Sequence, residues 1–316
     1  MPLLSVITSV YNETDSYIIE SINSILNQTL SDFELIIVND NPGRKGLDEL
    51  MESFSDNRIR LYHNSENCGL AISMNRAAKY AKSDILVRMD ADDVAELDRF
   101  EKQYKIYKTD NYDLIFSNFS RIDENSNIID RAVNKKSSEG TELALKVALN
   151  PSIIHHPTVM MRKSLFDAVG GYRPFPCSQD GDLWLRMQEN GCRFYYIGTP
   201  LLKYRVSSTS TTYRKWFLQR LTCHYFFQNS CDRLFLGKDD YSEENYHRYL
   251  KINGLNNPNA EKKYKRGQNF LSKAANSKGI KRLVLRILAF LSTPLLRKHF
   301  INEIRKRKYL RKNNIR

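Results

Sequence analysis

Three carboxylates, Asp90, Asp92 and Asp93, stand within four positions, directly after the apolar segment Leu86-Val87-Arg88-Met89. Acids crowded at the end of a buried strand repel one another and lose hydration, so something must neutralise them. A hard divalent cation does this through oxygen ligands. Mg²⁺ or Mn²⁺ is commonly held by one or two carboxylates together with the phosphates of a substrate. The chemistry on offer is the binding of a phosphate-bearing ligand at a strand end. Taken alone, the cluster reads equally well as a solvated acidic turn.

The elements that would position these acids follow from the hydrophobic pattern. Residues 3–10, 33–38, 59–63 and 85–89 are β-favouring apolar runs. Between them, 16–30 (capped by Thr14 or Asp15), 46–54 and 69–81 carry helical spacing, and Asn41-Pro42-Gly43 is a turn. Strand alternating with helix predicts an α/β fold with a mostly parallel sheet and helices on both faces. Ligands of such sheets bind beyond the carboxyl ends of the strands. Val10-Tyr11-Asn12-Glu13, Asn39-Asp40 and Asp90–Asp93 all lie at those ends. Further on, helices are expected at 100–107, 142–149 and 180–190, and strands at 114–118, 158–161, 193–197 and 202–206. From about 213 the chain reads as helical and rich in aromatics.

The chain carries 49 Lys and Arg against 36 acids, a net charge of +13. Residues 280–316 hold twelve of those bases and one acid, Glu303, which leaves 1–279 at only +2. Basicity confined to a tail predicts an anionic surface as partner and argues against a nucleic-acid-binding face, which would interleave bases and aromatics across the fold. The five cysteines form no CxxC pair, which predicts neither a zinc site nor a disulfide framework and fits a reducing cytoplasm. No apolar run approaches a transmembrane span, and no basic leader precedes the first strand, so no signal peptide is expected.

Taken in order, seven segments resemble the family 2 glycosyltransferases, a group with the GT-A fold. They are Ser5–Glu13; Leu35-Ile36-Ile37-Val38-Asn39-Asp40; Asn67-Cys68-Gly69-Leu70-Ala71 with Asn75; Arg88–Asp93; His156-Pro157-Thr158 through Gly170-Gly171-Tyr172; Gln179–Arg186; and Tyr204-Arg205-Val206. The resemblance spans roughly residues 3–210. It implies a Rossmann-like nucleotide-sugar-binding domain over 1–212, followed by a helical, basic region over 213–316 with an amphipathic and polybasic tail at 280–316.

The resemblance also implies roles. A nucleotide sugar, most often a uridine diphosphate sugar, would be the donor. Tyr11 would stack on its base, although a core aromatic is the other reading. Asp40 would accept from the base or cap a turn. Thr8, Glu13, Asn67, Asn75 and Asp90 would line the nucleotide, with Asn67 and Asn75 equally able to support a helix start. Asp92, with Asp90 nearby, would hold Mn²⁺ or Mg²⁺ against the diphosphate, offsetting charge on the leaving group. Asp180 would be the base that takes the proton of the attacking hydroxyl in an inverting displacement. His156, Gln179, Trp184 and Arg205 would stand on the acceptor side, though Trp184 also reads as core and His156 as structural.

The chain departs from the family pattern in three places: Gln179 stands where Glu is usual, Met74 where many relatives carry Arg, and Ser207 and Ser208 where many carry His. The implied function is transfer from a nucleotide sugar to a glycan or polyprenyl-linked acceptor in bacterial surface polysaccharide assembly, at the cytoplasmic face of the membrane. A nucleotidylyltransferase would show a glycine-rich, basic loop after the first strand, and Val10-Tyr11-Asn12-Glu13 is not one. A pseudoenzyme that binds the donor without turning it over remains open because of Gln179. In the tail, Ile280, Leu283, Val284, Ile287, Leu288 and Leu291 fall on one helix face. That face predicts either a helix docked on the catalytic domain with a solvated basic end or one lying in a membrane interface.

Overall fold

The computed structural model describes residues 1–206 and 215–312. Contacts divide the chain into two compact units, 1–210 and 211–315.

In the first unit, β1 (Leu4–Val10), β2 (Phe33–Asn39), β3 (Ile59–His63) and β4 (Ile85–Arg88) are linked by α1 (Asp15–Leu26), α2 (Leu47–Ser53) and α3 (Leu70–Tyr80). Then follow β5 (Val94–Ala95), α4 (Arg99–Tyr107), β6 (Leu114–Ile122), β7 (Ile128–Asp130), β8 (Ser138–Glu139) and α5 (Gly140–Leu149). After two short 3₁₀ turns come β9 (Met160–Arg162), α6 (Lys163–Ala168), α7 (Gln179–Glu189) and β10 (Phe194–Arg205). The sheet order is β3-β2-β1-β4-β9-β6-β10-β5. The first four strands are mutually parallel; β9 pairs antiparallel with both β4 and β6, and β6 with β10 is parallel again.

Period-two alternation builds a core on each face of the sheet. Ile7, Ile36 and Val38 face α3, α5 and α7 through Met74, Val147 and Trp184. Val6, Leu35 and Ile37 face the opposite way, onto Ile18, Ile22 and Ile25 of α1 and Phe100 of α4. Thr14 caps α1, its hydroxyl accepting from the Tyr17 N–H at 3.4 Å. β2 lies on one side of β1 and β4 on the other, in parallel register Val10↔Asn39 and Ile7↔Arg88. Connections leave β1 in one direction and return to β4 in the other, so the crevice at their carboxyl ends is the topological switch point.

Two strand expectations change. The strand predicted over 158–161 sits later, at Met160–Arg162, because His156-Pro157-Thr158 tightens into a 3₁₀ turn. The two strands predicted around Gly198 and Pro200 are one, β10, whose register against β6 shifts on either side of Pro200. Gly198 is required by a close approach: a Cβ there would meet the Lys135 carbonyl oxygen at 1.8 Å.

The second unit contains α8 (Trp216–Leu236), α9 (Glu243–Ile252), α10 (Pro258–Ala275), α11 (Gly279–Ser292) and α12 (Pro294–Lys312). Buried aromatics of α8 pack on Tyr264 of α10, whose hydroxyl meets the His224 Nε2 at 2.7 Å, and on Tyr246 of α9, whose hydroxyl meets the Thr222 hydroxyl at 2.7 Å.

Candidate active site

The acidic loop leaves the end of β4. Met89 and Ala91 turn inward and are buried, which leaves Asp90 and Asp92 partly exposed, while Asp93 is fully buried. A ligand oxygen from each of the three carboxylates lies within 4.8 Å of the others. Burial, then the charges of Asp90 and Glu13, push the Asp92 carboxyl up to about 7. Burial, then Asp90 and Asp92, raise Asp93 well above the carboxylate range. One Asp93 oxygen accepts from the Arg205 N–H at 2.8 Å, and its other oxygen has no hydrogen-bond partner. An all-oxygen donor set that repels itself and leaves a buried oxygen unpartnered fits a hard divalent cation.

Behind the loop stands Arg88, which the motif reading did not assign a role. Its side chain is fully buried and ion-paired with Asp90. Its charge acts on Asp92, Asp93 and Asp180 alike, favouring the ionised form of each. Arg99 supports it by donating to the Arg88 carbonyl at 2.9 Å, and burial, reinforced by the Arg88 charge, lowers Arg99 to about 9. The sequence signal was present: an arginine inside the otherwise apolar run from Ile85 to Met89 has to be paired when that strand is buried.

The ends of β1 and β2 form the adjacent wall. Tyr11 is 41% exposed, so the core-aromatic reading fails. The Glu13 carboxylate folds back to accept from the Tyr11 N–H at 2.7 Å, and Asn41 donates to the Tyr11 carbonyl at 3.3 Å and to the Asn12 side chain at 3.0 Å. The Thr8 hydroxyl is buried without a partner. Asp40 is buried and works as a cap: it accepts from Asn64 Nδ2 at 2.7 Å, from the Cys68 N–H at 2.9 Å and from the Gly69 N–H at 2.9 Å, at the start of α3. Asn67 accepts from the same Gly69 N–H at 3.1 Å. Asn75 ties the middle of α3 to a distant loop, donating to the Tyr172 carbonyl and accepting from the Tyr172 N–H, both at 2.8 Å. Met74 is wholly buried in the core.

Asp180 occupies the first turn of α7, after Ser178 in a left-handed conformation (φ 56°) and the buried Gln179. Burial raises its carboxyl; the backbone N–H groups of Gly181 and of Asp180 itself and the charge of Arg88 oppose that, and Asp90 adds to it. Asp180 thus shares one electrostatic environment with the acidic loop. Asp182 is turned away and buried, accepting from Arg186 Nε at 2.8 Å.

The remaining acceptor-side residues are placed less favourably. Trp184 is fully enclosed in the core, because it lies on the inward face of α7 between Leu183 and Met187; this corrects its expected place along an acceptor surface. His156 is buried with Nε2 at 2.7 Å from the Tyr172 hydroxyl, and burial, with Arg88 and His155, holds it neutral. Its neighbour His155 stacks on Phe119 with ring centroids 3.9 Å apart, and burial lowers it to about 4. Arg205 is also drawn inward: its side chain pairs with Glu20 and donates to the Asp92 carbonyl at 2.8 Å and the Asp123 carbonyl at 2.9 Å. It therefore braces the acidic loop. Ser207 and Ser208 lie outside the described residues.

Comparison with known proteins places this chain in a lineage. The O-antigen biosynthesis glycosyltransferase WbnJ of Escherichia coli is 32% identical over 216 residues, 67% of this chain and 82% of that protein. An Escherichia coli UDP-Gal:alpha-D-GlcNAc-diphosphoundecaprenol beta-1,3-galactosyltransferase is 28% identical over 72% of this chain and 83% of its own length. The fold matches the crystal structure of S. aureus TarS 1-349 in complex with UDP-GlcNAc, with a TM-score of 0.64 and 16% identity over 98% of this chain and 91% of that one, a GT-A architecture. The model of Glycosyl transferase family 2 matches residues 5–170, from the first strand through the acidic loop to the glycine pair before Tyr172, and this chain belongs to that family of glycosyltransferases.

Proposed function

We propose that this chain transfers a sugar, with inversion, from a uridine diphosphate sugar to a hydroxyl of a lipid-linked glycan in surface polysaccharide assembly. The observation that carries this reading is the shared environment of Asp180 and the acidic loop, with Arg88 acting on both. Glycosyl transfer needs a proton acceptor and a diphosphate-binding cluster together, and the charge of Arg88 reaches both Asp180 and Asp92. The UDP-sugar and diphosphoundecaprenol substrates in the name of the Escherichia coli galactosyltransferase support the choice of donor and acceptor class.

In this reading Tyr11 offers its exposed ring to the base, and Glu13 and the Thr8 hydroxyl lie along the ribose side. Asp40 and Asn67 act by fixing the start of α3 beside the base. Asp92 and Asp90 would hold Mn²⁺ or Mg²⁺, with Asp93 fixed behind them by Arg205. That ion would supply positive charge to the departing diphosphate. Asp180 takes the proton of the acceptor hydroxyl. The acceptor oxygen bonds to the anomeric carbon as the bond to the diphosphate oxygen breaks, on opposite faces, so the configuration inverts. Buried Gln179 sits beside this base without adding a charge. The enzyme would work at the cytoplasmic face of an anionic membrane, where lipid-linked acceptors reside.

The test is a panel of nucleotide sugars scored for binding, slow hydrolysis and transfer, with Mn²⁺, with Mg²⁺ and in chelator. Turnover of one UDP-sugar that requires the cation, with an inverted product, supports the reading. Tight donor binding without turnover under any condition would mark a nucleotide-sugar-binding pseudoenzyme instead.

A further inference from the structure

Helix α11 is held in the second unit by the side that carries no apolar stripe. Ala289 is fully buried, and it lies about two and a half turns, hence half a turn in azimuth, from Ile280. Close packing of α10 on this region is set by Gly267, where a Cβ would stand 2.4 Å from Leu296 Cδ1 and 3.0 Å from Ser292 Cβ. The six residues of the stripe, Ile280, Leu283, Val284, Ile287, Leu288 and Leu291, are instead between 40 and 82% exposed. Among the described residues of the second unit, none covers the stripe. An exposed apolar face of this size calls for a partner.

Charge tells which partner. From Gly279 to Lys312 there are eleven Lys or Arg and one acid, Glu303, and every one of those bases except Lys306 is exposed. Lys281, Arg282 and Arg286 lie on the same short helix as the stripe. Two copies meeting through this face would bring like charges together, so self-association is disfavoured. No helix of the described residues is long and apolar enough to cross a membrane. A short helix with an exposed aliphatic face and a cationic surround matches an anionic lipid surface, with the apolar face lying at the level of the headgroups and first methylenes.

We infer that the exposed face of α11, with the bases of α11 and α12 around it, is a membrane-docking surface that lies flat on anionic lipid. The inference deepens the proposed function and rests on it only for its purpose, which is to bring the enzyme to a lipid-linked acceptor.

The experiment is co-sedimentation of the full chain with vesicles of phosphatidylcholine alone or mixed with phosphatidylglycerol. Two variants are compared: Leu283→Glu/Ile287→Glu, and Lys281→Gln/Arg282→Gln/Arg286→Gln. Wild type should bind the anionic vesicles at least ~10-fold better than neutral ones, and lose them as salt rises to ~0.5 M. Each variant should lose ~10-fold or more on anionic vesicles with unchanged thermal melting and unchanged UDP-sugar hydrolysis, since the altered side chains are exposed. Equal binding by wild type and both variants overturns the inference. So does a dimer that Leu283→Glu/Ile287→Glu turns into a monomer while vesicle binding stays the same, because a second copy would then be the occupant. Salt-sensitive binding of random duplex DNA with no vesicle binding overturns it as well. Vesicle binding without any sugar turnover leaves the docking surface standing and refutes the catalytic reading; turnover without vesicle binding does the reverse.

Discussion

The guanidinium of Arg88, the last residue of β4, is ion-paired with the carboxylate of Asp90, two residues further on and the first acid of the loop. The arginine is buried and the carboxylate is partly exposed, so the pair carries charge from the core to the site. Arg88→Met should therefore raise the Asp180 carboxyl further, because Arg88 is one of the groups that hold it down. A base must be ionised to act, so the acid limb of the turnover–pH profile should move to higher pH, with ~10-fold or more lost at neutral pH. Arg88→Lys keeps the charge and should move the limb less. A pH–rate profile of the three proteins decides it.

Asp180→Asn preserves shape and removes the proposed proton acceptor. Turnover should fall by at least ~10², while affinity for the UDP-sugar stays close to wild type. Single-turnover kinetics beside equilibrium donor binding separate the two. A loss of affinity with unchanged turnover per bound donor would make Asp180 a helix cap only.

Asp92 links metal, pH and stability. Its carboxyl titrates near 7 in the fold against 3.8 unperturbed. Between those values the native state holds the proton and the unfolded state has lost it. In metal-free protein this group therefore lowers stability as pH climbs from about 4 to about 7. Asp92→Asn should remove that slope and stabilise the metal-free protein above pH 7 by roughly 1–2 kcal/mol. Mn²⁺ should raise the melting temperature of wild type, and the same variant should lose that rise together with most of the transferase activity. Melting curves across pH, with and without Mn²⁺, are the measurement.

Tyr11 and Asp40 should separate binding from folding. Tyr11→Ala removes an exposed ring, so melting should hardly change while UDP affinity falls by ~1–3 kcal/mol; Tyr11→Phe should keep most of it. Asp40→Ala strips the acceptor from the N–H groups of Cys68 and Gly69 and from Asn64. It should cost ~1–3 kcal/mol of stability before any effect on the donor is counted. Denaturant titration and calorimetric UDP binding test both.

The half of the fold with strict strand-helix alternation was legible because burial on both faces imposes a period that the residues cannot hide. β1 to β4 and α1 to α3 fall within a few residues of their expected ends. β10 was read as two strands because Gly198 and Pro200 are ordinary break signals, and nothing local reveals that β6 continues alongside. The acids of the candidate site were legible as types, since Asp90, Asp92 and Asp180 stand at element ends. Their support was not. Arg88 reads as one base in a motif and Arg205 as an acceptor-side residue, whereas pairing with Asp90 and Glu20 turns both inward. Trp184 shows the converse: an aromatic next to a motif acid is still placed by the helix period, which turned it into the core.

The bond pair between Asn75 and Tyr172 sets a condition on redesign. One amide of α3 satisfies both main-chain groups of Tyr172, as a neighbouring strand would. Gly171 makes room for it, since a Cβ there would lie 2.6 Å from the Asn75 side-chain oxygen. Anyone grafting the segment 172–178 from another protein would have to carry Asn75 and Gly171 along with it. Without them the graft would keep its sequence and lose its anchor, and the start of α7, a few residues downstream, would drift from its native place.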